Sequence, residues 1–255
     1  MPVHVGIVMD GNRRWARNRG LDVIHGHSEG ALKLVEVVQW WMEHNGGKLR
    51  YMTVWAFSTD NFNRPASEVD GLMKLIGREL QRLVHFPHVH LFRIRISVVG
   101  DRSRLPQSLI DGIEAIEHAT AGYDSFFWQI AVAYSGQGEI VSSVRDALMA
   151  SVVEKSGSEQ CDMTAAGPSG PSLADRLAKL DTGTISQCTY NGRLGYPRAN
   201  AILRTGGDWR TSGFMLWDTQ YAELFFSKKM WPDIKEWDFL HMLADYNKRE
   251  IRHGK

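Results

Sequence analysis

The regular alternation of short apolar runs with longer helical patterns constrains the fold of this chain more than any other feature. Apolar segments of strand length lie at residues 3–9, 51–57, 94–99, 126–134, 201–204 and 224–226. Segments with apolar residues at helical spacing lie at residues 31–42, 69–83, 109–121, 139–153, 172–180 and 236–249. Because this order is typical of a parallel sheet with helices on both faces, the sequence predicts an α/β fold with a parallel central sheet flanked by helices.

The length of the chain fits one domain. A chain of 255 residues, 43% of them hydrophobic, can bury one sizeable core. We therefore expect a single domain over residues 1–255. Residues 156–171 are rich in Gly, Ser and Pro, and this composition predicts a flexible loop within that domain.

Charge and cysteine content argue against several function classes. The formal net charge is +1, far below that of a typical nucleic-acid-binding protein, so no nucleic acid partner is expected. The two cysteines, Cys161 and Cys188, form no C-x-x-C pair, which disfavours structural zinc and a disulfide framework. No apolar run is long enough to span a bilayer, and no signal-peptide pattern precedes the first strand. We therefore expect a cytoplasmic protein without an integral membrane segment.

Three of the predicted strands run into polar or Gly-rich segments, at residues 10–14, 58–61 and 204–208. In parallel sheets, ligands bind at the carboxyl ends of the strands. The three segments are therefore expected to meet at one rim of the sheet.

The first polar segment has the composition of a diphosphate site. Asp10 and Gly11 leave the first strand, and Arg13 and Arg14 open a predicted helix. A helix amino terminus carrying Arg side chains binds phosphate oxygens, and Asp10 beside it is a candidate ligand for Mg2+, which prefers one or two carboxylates with phosphate oxygens. The alternative interpretation is an ordinary turn with a solvated basic helix start.

The later segments carry similar signals. Residues 204–212 combine two Arg, a Gly pair and two hydroxyls, which suits phosphate binding, although a surface loop with paired Arg and Asp is the alternative. Residues 56–65 are also polar, but Ser67 with Asp70 resembles a helix-capping box, so a structural role is favoured when this segment is considered alone. Glu223 enters an apolar run, where a carboxylate needs an Arg or a metal as partner.

Taken together, these segments resemble the cis-prenyltransferase family, which includes undecaprenyl diphosphate synthases and short-chain Z-prenyl diphosphate synthases. The longest matching motif contains Asp10-Gly11-Asn12-Arg13-Arg14-Trp15. The matching segments are residues 4–16, 26–27, 56–65, 68–69, 134–140, 202–212, 216–217, 221–224 and 231–233, in the order in which the family has them.

The resemblance implies an enzyme, a homodimer and an apolar substrate tunnel, with Mg2+ as cofactor and prenyl diphosphates as substrates. It implies Asp10 as the catalytic aspartate and metal ligand, Glu223 as a second metal contact and Asn61 as the proton acceptor. The residues at the family's substrate-binding positions are Gly11, Asn12, Arg13, Arg14, Trp15, His27, Ser58, Thr59, Asp60, Phe62, Arg64, Arg204, Arg210, Thr211 and Ser212.

Several positions depart from the family pattern. Val23 and Gln137 stand where the family usually carries Arg, and Trp209 stands where it usually carries His. Asn200 replaces an Asp and Asp208 replaces a Glu. The loss of two Arg near the phosphates argues against the standard placement of substrates.

Bulky aromatic residues predict a short product. Trp128 lies where long-chain relatives tend to keep a smaller residue near the tunnel floor, and Trp55 is expected to add bulk from the neighbouring strand. Packed interiors do not yield easily, so we expect a product of about ten to fifteen carbons. The expected reaction is regular Z-type elongation with isopentenyl diphosphate. One alternative is irregular coupling of two allylic diphosphates to a branched, lavandulyl-type skeleton, and another is a non-catalytic partner subunit.

Overall fold

A computed structural model describes residues 1–44, 47–153 and 173–250. In this part of the chain, six strands form one parallel sheet, with the strand order β3-β4-β2-β1-β5-β6. The strands are β1 (His4–Val8), β2 (Tyr51–Ser58), β3 (Ile94–Val99), β4 (Phe126–Tyr134), β5 (Ala201–Arg204) and β6 (Glu223–Phe226). The predicted α/β fold is confirmed.

The described chain also contains helices between and after the strands in sequence. They are α1 (Asn12–Arg17), α2 (Val23–His44), α3 (Ala66–Val84), α4 (Pro87–Leu91), α5 (Gln107–Thr120), α6 (Gly136–Val153), α7 (Leu173–Ala178), α8 (Thr182–Cys188), α9 (Tyr190–Leu194) and α10 (Glu236–Lys248). Helices α4, α8 and α9 were not predicted, because five to seven residues are too few to establish a helical period. Among the described helices, none combines the length and apolar character that a bilayer span requires.

Two helix starts differ from the sequence-based expectation. Helix α2 begins at Val23 rather than at residue 31, since Gly26 and Gly30 weaken the helical signal of its first turns. Helix α3 begins after Pro65 without a side-chain cap, so the capping box expected from Ser67 and Asp70 is not formed.

The main core lies against one face of the sheet. In a parallel sheet, residues in register share a face, and the alternate residues Val5 and Ile7 of β1 join Met52 and Val54 of β2 in one fully buried cluster. Side chains from α2, α3, α5 and α10 complete the cluster. This packing fixes the strands whose carboxyl ends carry the polar segments.

The chain forms two compact units. Residues 1–135, together with those from 198 onward, form the unit that holds the whole sheet. Residues 136–197 form the other unit, in which α6 is tied to the later helices by hydrogen bonds from Ser143 Oγ to the Cys188 oxygen and from the Tyr190 N–H to Glu139. The single domain over residues 1–255 stays a prediction. The predicted loop at 156–171 lies outside the described residues.

Candidate active site

Loops after two neighbouring strands place Asp10 between two guanidinium groups. Strands β1 and β5 pair with Val8 opposite Arg204, so the residues after Val8 lie beside the Arg204 side chain. The Arg204 guanidinium is 2.8 Å from Asp10 Oδ2, and the Arg14 guanidinium is 3.2 Å from Asp10 Oδ1. Both oxygens of the Asp10 carboxylate therefore face a cation.

The loop after β5 folds back over Arg204. The Arg204 guanidinium donates hydrogen bonds to Ser212 Oγ at 2.8 Å and to the main-chain oxygen of Arg210 at 2.7 Å. Asp208 Oδ2 lies 3.4 Å from Arg204 and 3.0 Å from Arg210. The Arg204 side chain is only 7% exposed, whereas Arg210 faces solvent and Thr211 lies between Arg210 and Ser212 in the same loop.

The backbone conformation of the loop after β5 allows this loop to approach Asp10 and Arg14 closely. Gly206 has φ of +86°, and a Cβ at this position would lie 2.8 Å from the Arg14 guanidinium and 2.9 Å from the Asp10 carbonyl carbon. Ser212 has φ of +52°, a left-handed conformation that is uncommon for a residue with a side chain. Its hydroxyl bond to Arg204 is therefore held in a strained loop, as is frequent at functional sites.

The charges around Asp10 keep its carboxylate ionised. Burial by itself would raise the pKa of Asp10, but the hydrogen bond from Arg204 and the charges of Arg204 and Arg14 outweigh burial, so the pKa lies below its usual value. A carboxylate that stays ionised near neutral pH suits a metal ligand.

A second cluster is centred on Glu68. Glu68 Oε1 lies 3.2 Å from Arg13, 3.1 Å from Arg64 and 3.8 Å from His27 Nε2. The Glu68 side chain is 10% exposed, so it is a buried counter-charge that positions two guanidinium groups. Since Arg13 belongs to the segment at residues 10–14 and Arg64 to the polar stretch at residues 56–65, this cluster joins those segments. With the contact of Asp10 and Arg204, all three predicted segments meet at one rim, as expected.

His27 is held in its neutral form. Burial lowers its pKa most, the charge of Arg64 lowers it further, and Glu68 opposes both, with the result that the pKa falls to about 4. At neutral pH, the imidazole therefore carries no charge and offers one donor and one acceptor nitrogen.

The segment after β2 forms a short 3-10 helix, Thr59–Asn63, which contains Asp60, Asn61 and Phe62. The Ser58 N–H donates to Asn61 Oδ1 at 3.1 Å, so the amide side chain is fixed at the start of the turn. The Phe62 ring packs edge-on against Phe57 at 4.9 Å between centroids.

Helix α1 is packed tightly on α2. Gly11 precedes α1 with φ of +109°. On α2, a Cβ at Gly26 would lie 2.3 Å from the Asn12 main-chain oxygen, and a Cβ at Gly30 would lie 2.6 Å from Asn12 Oδ1. These two glycines, one helical turn apart, therefore set the position of Asn12.

A cavity of about 410 Å3 extends from this rim into the core. Asn12 and His27 contribute polar atoms to its wall. The apolar lining includes Met9, Ala31, Leu34, Leu72, Leu80 and Trp128. Trp128 is 2% exposed, and no hydrogen-bond partner reaches its Nε1 in the described part of the chain. The wall is thus mostly apolar, although Glu36, Glu79 and Arg82 also line it.

Several predicted site residues do not line this cavity, among them Phe62, which lines a different concave site. The Trp15 indole N–H donates to Asp233 at 2.8 Å, and Trp15 does not line the cavity. Trp55 is on the sheet face opposite to Trp128, where it stacks on Phe214 at 5.2 Å, so the bulk expected from Trp55 is not in this cavity.

The position of Glu223 differs from the arrangement that its expected role requires. Glu223 pairs with Ala201 at the amino end of β5, whereas Asp10 follows the carboxyl end of β1. Its carboxylate lies 2.7 Å from Arg249. Within one chain, the structure therefore does not bring Glu223 to Asp10, and a shared metal contact is not formed.

Comparison with known proteins identifies the family of this chain. The family profile described as undecaprenyl diphosphate synthase matches residues 8–254. The chain is a member of the cis-prenyltransferase family. The family consists of enzymes that transfer prenyl groups, and the resemblance inferred from the motifs is confirmed.

Individual cis-prenyltransferases are similar over the whole chain. An isoprenyl transferase from Thermus thermophilus is 36% identical over 255 residues, which are 100% of this chain and 89% of the relative. A geranylgeranyl-diphosphate-specific tritrans,polycis-undecaprenyl-diphosphate synthase from Pyrococcus horikoshii is 35% identical over 100% of this chain and 88% of its own. Lavandulyl diphosphate synthase from Lavandula x intermedia, solved with dimethylallyl diphosphate, superposes with a TM-score of 0.82 at 30% identity, covering 100% and 98% of the chains.

The structure explains two departures from the cis-prenyltransferase pattern. Asn200 lies at the amino end of the sheet, where its Oδ1 accepts the N–H groups of Val3 and His4 at 2.7 and 2.9 Å, as an Asp carboxylate also would. Asp208 stands where the family usually has Glu, and its carboxylate contacts the guanidinium groups of Arg204 and Arg210. Trp209, in contrast, is 72% exposed.

Two residues that position site side chains were not predicted from the sequence. Glu68 holds Arg13 and Arg64, and Asp233 holds the Trp15 indole. Glu68 follows Arg64 at the i, i+4 spacing of a helical ion pair, and that spacing was the available signal. Asp233 also fixes Arg19 at 3.1 Å, but it lies more than 200 residues away in sequence, so no local pattern indicates the contact.

Proposed function

We propose that this cis-prenyltransferase is a Mg2+-dependent, short-chain prenyl diphosphate synthase that joins two isoprenoid diphosphates of five and ten carbons by regular Z-type elongation with isopentenyl diphosphate. The observation that carries the proposal is the meeting of two guanidinium clusters, with Asp10 between them, at the polar end of a small apolar cavity. Diphosphate groups fit the clusters, and a prenyl chain fits the cavity.

The residues present suit Mg2+. In the described chain, the one group of three His and carboxylate side chains close enough to share an ion is Glu43, His44 and Glu236 on the surface. Asp10 lies on the same Arg204 and Arg14 guanidinium groups as Asp208, so the site offers one or two carboxylates rather than a protein cage. Mg2+ adopts such an arrangement when substrate phosphates supply the remaining oxygens. When bound there, Mg2+ would neutralise charge on the departing diphosphate.

The reaction requires three bond changes. The allylic C–O bond breaks and its electron pair leaves with diphosphate. The double bond of the second substrate then forms a C–C bond with the allylic carbon, and a proton leaves the neighbouring carbon. We assign Arg13, Arg14 and Arg64 to the departing diphosphate, because preorganised donors lower the free energy of the developing charge.

The second substrate has its own set of donors. We assign Arg204, Arg210 and Ser212 to its diphosphate, and the existing bond between Arg204 and Ser212 at 2.8 Å supports one common site. The proton acceptor is assigned to the Asn61 region or to diphosphate itself. Asn12 and His27 then border the reacting end of the prenyl chain, since both line the cavity at the rim.

The volume of the cavity supports a short product. The volume of about 410 Å3 lies in the lower part of the roughly 300–1,000 Å3 range of small-molecule sites. Together with the bulk of Trp128 in the cavity wall, this small volume supports the short product expected from the sequence.

Irregular coupling of two allylic diphosphates is the second candidate. Its specific support is the superposition on lavandulyl diphosphate synthase, combined with Val23, Gln137 and Trp209 at positions where the family usually has Arg, Arg and His. The Arg204, Arg210 and Ser212 set serves either reaction, because the second substrate carries a diphosphate in both. Product analysis therefore has to separate the two.

We also propose a homodimer. β6 is an edge strand of the described sheet, and Leu224 on it and the adjacent Tyr221 are exposed. An exposed apolar edge is a surface that folded proteins usually cover. The cytoplasmic location expected from the sequence stays a prediction.

Product analysis tests the reaction. The protein and Mg2+ are incubated with dimethylallyl or geranyl diphosphate, each with and without isopentenyl diphosphate, and the dephosphorylated alcohols are identified by mass spectrometry. A Z-configured product that requires isopentenyl diphosphate is expected. A branched product from allylic substrates alone would establish the irregular reaction, and binding without turnover would point to a partner subunit.

A further inference from the structure

Helix α3 borders a second concave site on its other side. This site, the α3–α5 groove, has a volume of about 700 Å3 and lies between α3 and residues 103–109, which lead into α5. Its floor consists of Phe62, Val69, Met73, Leu105 and Leu109. Leu72, Leu80 and Leu83 line the cavity of the candidate active site instead. Helix α3 therefore presents one apolar stripe to each site.

The rim of the groove is cationic. Lys74, Arg78 and Arg104 line it together with a single carboxylate, Asp70. Over the described residues, neither Lys74 nor Arg104 has a carboxylate within ion-pair distance, and Arg78 contacts only Glu79, at 3.2 Å. Because the formal net charge of the whole chain is only +1, this excess of cations around an apolar floor is a local feature.

We propose that the α3–α5 groove binds one single-chain amphiphile with a phosphate head group. The tail would lie along the floor over Phe62 and Val69, which are partly exposed, and the head would lie among the three cations. The volume falls within the roughly 300–1,000 Å3 of small-molecule sites. A bilayer surface fits less well, because none of the five floor side chains is among the exposed large hydrophobic residues.

Occupation of the groove would act on the candidate active site. The Arg104 guanidinium lies 4.1 Å from the centre of the Phe62 ring, and Phe62 is in the same 3-10 helix as Asn61. A phosphate that draws Arg104 away removes this cation–π contact and loosens the turn. The groove is therefore an inhibitory site, and this part of the inference rests on the proposed prenyl transfer.

The binding test uses dodecyl phosphate below its micelle concentration, because this probe has no allylic carbon and is not turned over. Isothermal titration calorimetry should show two bound molecules for the unmodified protein, one in the cavity and one in the groove. The double variant Lys74→Glu/Arg78→Glu should bind one, with the affinity of the second site lowered at least tenfold. The control Lys48→Glu/Arg95→Glu makes the same charge change at other exposed positions and should still bind two.

Other probes identify the source of the phosphate. Dodecyl maltoside, which has no charge, should leave the groove empty, and inorganic phosphate should bind it far more weakly. Binding to phosphatidylglycerol vesicles that is lost in the groove variant would replace the proposal with a membrane surface. A change in oligomeric state in that variant would replace it with a second copy of the chain. Equal stoichiometry in the groove and control variants would overturn the proposal.

Inhibition kinetics with dodecyl phosphate distinguish a failure of this inference from a failure of the proposed function. Dodecyl phosphate should lower the maximal rate of the unmodified protein several-fold, and this effect should disappear in the groove variant while its uninhibited rate is unchanged. Purely competitive inhibition, equal in both proteins, would leave the proposed function standing and remove the groove as a regulatory site. Lack of turnover with two bound molecules would instead contradict the proposed function alone.

Discussion

At the scale of single residues, Asp10 and Arg204 depend on each other. Arg204 is a buried cation, and the Asp10 carboxylate is its nearest counter-charge, at 2.8 Å. Without the Asp10 charge, Arg204 keeps only the more distant Asp208, at 3.4 Å, and this partial loss of compensation destabilises the fold. Asp10 therefore has a structural role beside its proposed role as metal ligand, and a test of catalysis has to separate the two.

Asp10→Asn keeps the shape of the side chain and removes its charge. We expect turnover to fall at least 100-fold, and the free energy of unfolding to fall by about 1–3 kcal/mol because Arg204 loses the nearer of its two carboxylate partners. Diphosphate release and urea unfolding measure the two effects. Asp124→Asn, at an exposed Asp that pairs with Arg93 at 2.9 Å, is the matched control and should keep full turnover. Near-normal turnover in the Asp10 variant would contradict the mechanism.

The neutral His27 makes the stability of the protein depend on pH. Its pKa in the fold is about 4, below the ordinary 6.5, so between these values the unfolded chain binds a proton that the folded chain does not. Stability is therefore lost as the pH falls from about 6.5 to about 4, by up to about 3 kcal/mol from this group. His27→Gln should show a correspondingly shallower loss.

Urea midpoints measured between pH 4 and pH 7 test this dependence. His25→Gln is the control, since this neighbouring His on α2 is exposed, and the variant should keep the pH profile of the unmodified protein. Identical profiles for the His27 variant and the unmodified protein would show that folding does not shift the pKa of His27.

At the scale of elements, two helices determine the geometry of the site. Helix α2 brings Gly26 and Gly30 against α1, which fixes Asn12 at the mouth of the cavity. Helix α3 carries the apolar wall of the cavity, and its first turns provide Glu68. The contact between α1 and α2 depends on the absence of side chains, so it is sensitive to added volume.

Gly30→Ala tests this contact. The new Cβ would lie 2.6 Å from Asn12 Oδ1, and the overpacking should lower the free energy of unfolding by about 1–3 kcal/mol and reduce turnover by moving Asn12. Gly112→Ala on α5 is the matched control. No atom lies within 4 Å of its Cβ, so that variant should gain about 0.5–1 kcal/mol of stability from helix propensity. A Gly30 variant as stable as the unmodified protein would show that α1 moves freely on α2.

At the scale of the whole molecule, the cavity of the candidate active site lies on one face of the sheet only. One face supports the core and the cavity, including Trp128, while Trp55 stacks on Phe214 on the other face. Two neighbouring strands thus carry bulky indoles that the sequence suggested for the same role. Only the indole in the cavity can limit a chain that grows into it.

Trp128→Leu should lengthen the product by at least one five-carbon unit, since a smaller side chain enlarges the end of the cavity. Trp55→Leu, the same change on the opposite face, should leave the product length unchanged. Mass spectrometry of the dephosphorylated products compares the two variants. Such a substitution costs on the order of several kcal/mol of stability. Circular dichroism is therefore needed to show that each variant is folded. Longer products from Trp55→Leu alone would reverse the assignment.

The sequence by itself determined the positions of the strands. β3, β4 and β5 have the predicted boundaries, because compact apolar runs bounded by polar or turn residues have few alternatives to a buried strand. It also determined that residues 10–14, 58–61 and 204–208 would meet, since the carboxyl ends of parallel strands share one edge. The order of the motifs was sufficient to identify the family.

The tertiary structure alone decided which side chains touch. The sheet register places Glu223 at the opposite end of the strands from Asp10, and the alternation of faces separates Trp55 from Trp128. Helix α3 folds back to give Arg13 and Arg64 one buried counter-charge, Glu68. These outcomes depend on sheet register and on packing between segments far apart in the chain. Apart from the i, i+4 spacing of Arg64 and Glu68, local residue patterns do not indicate them.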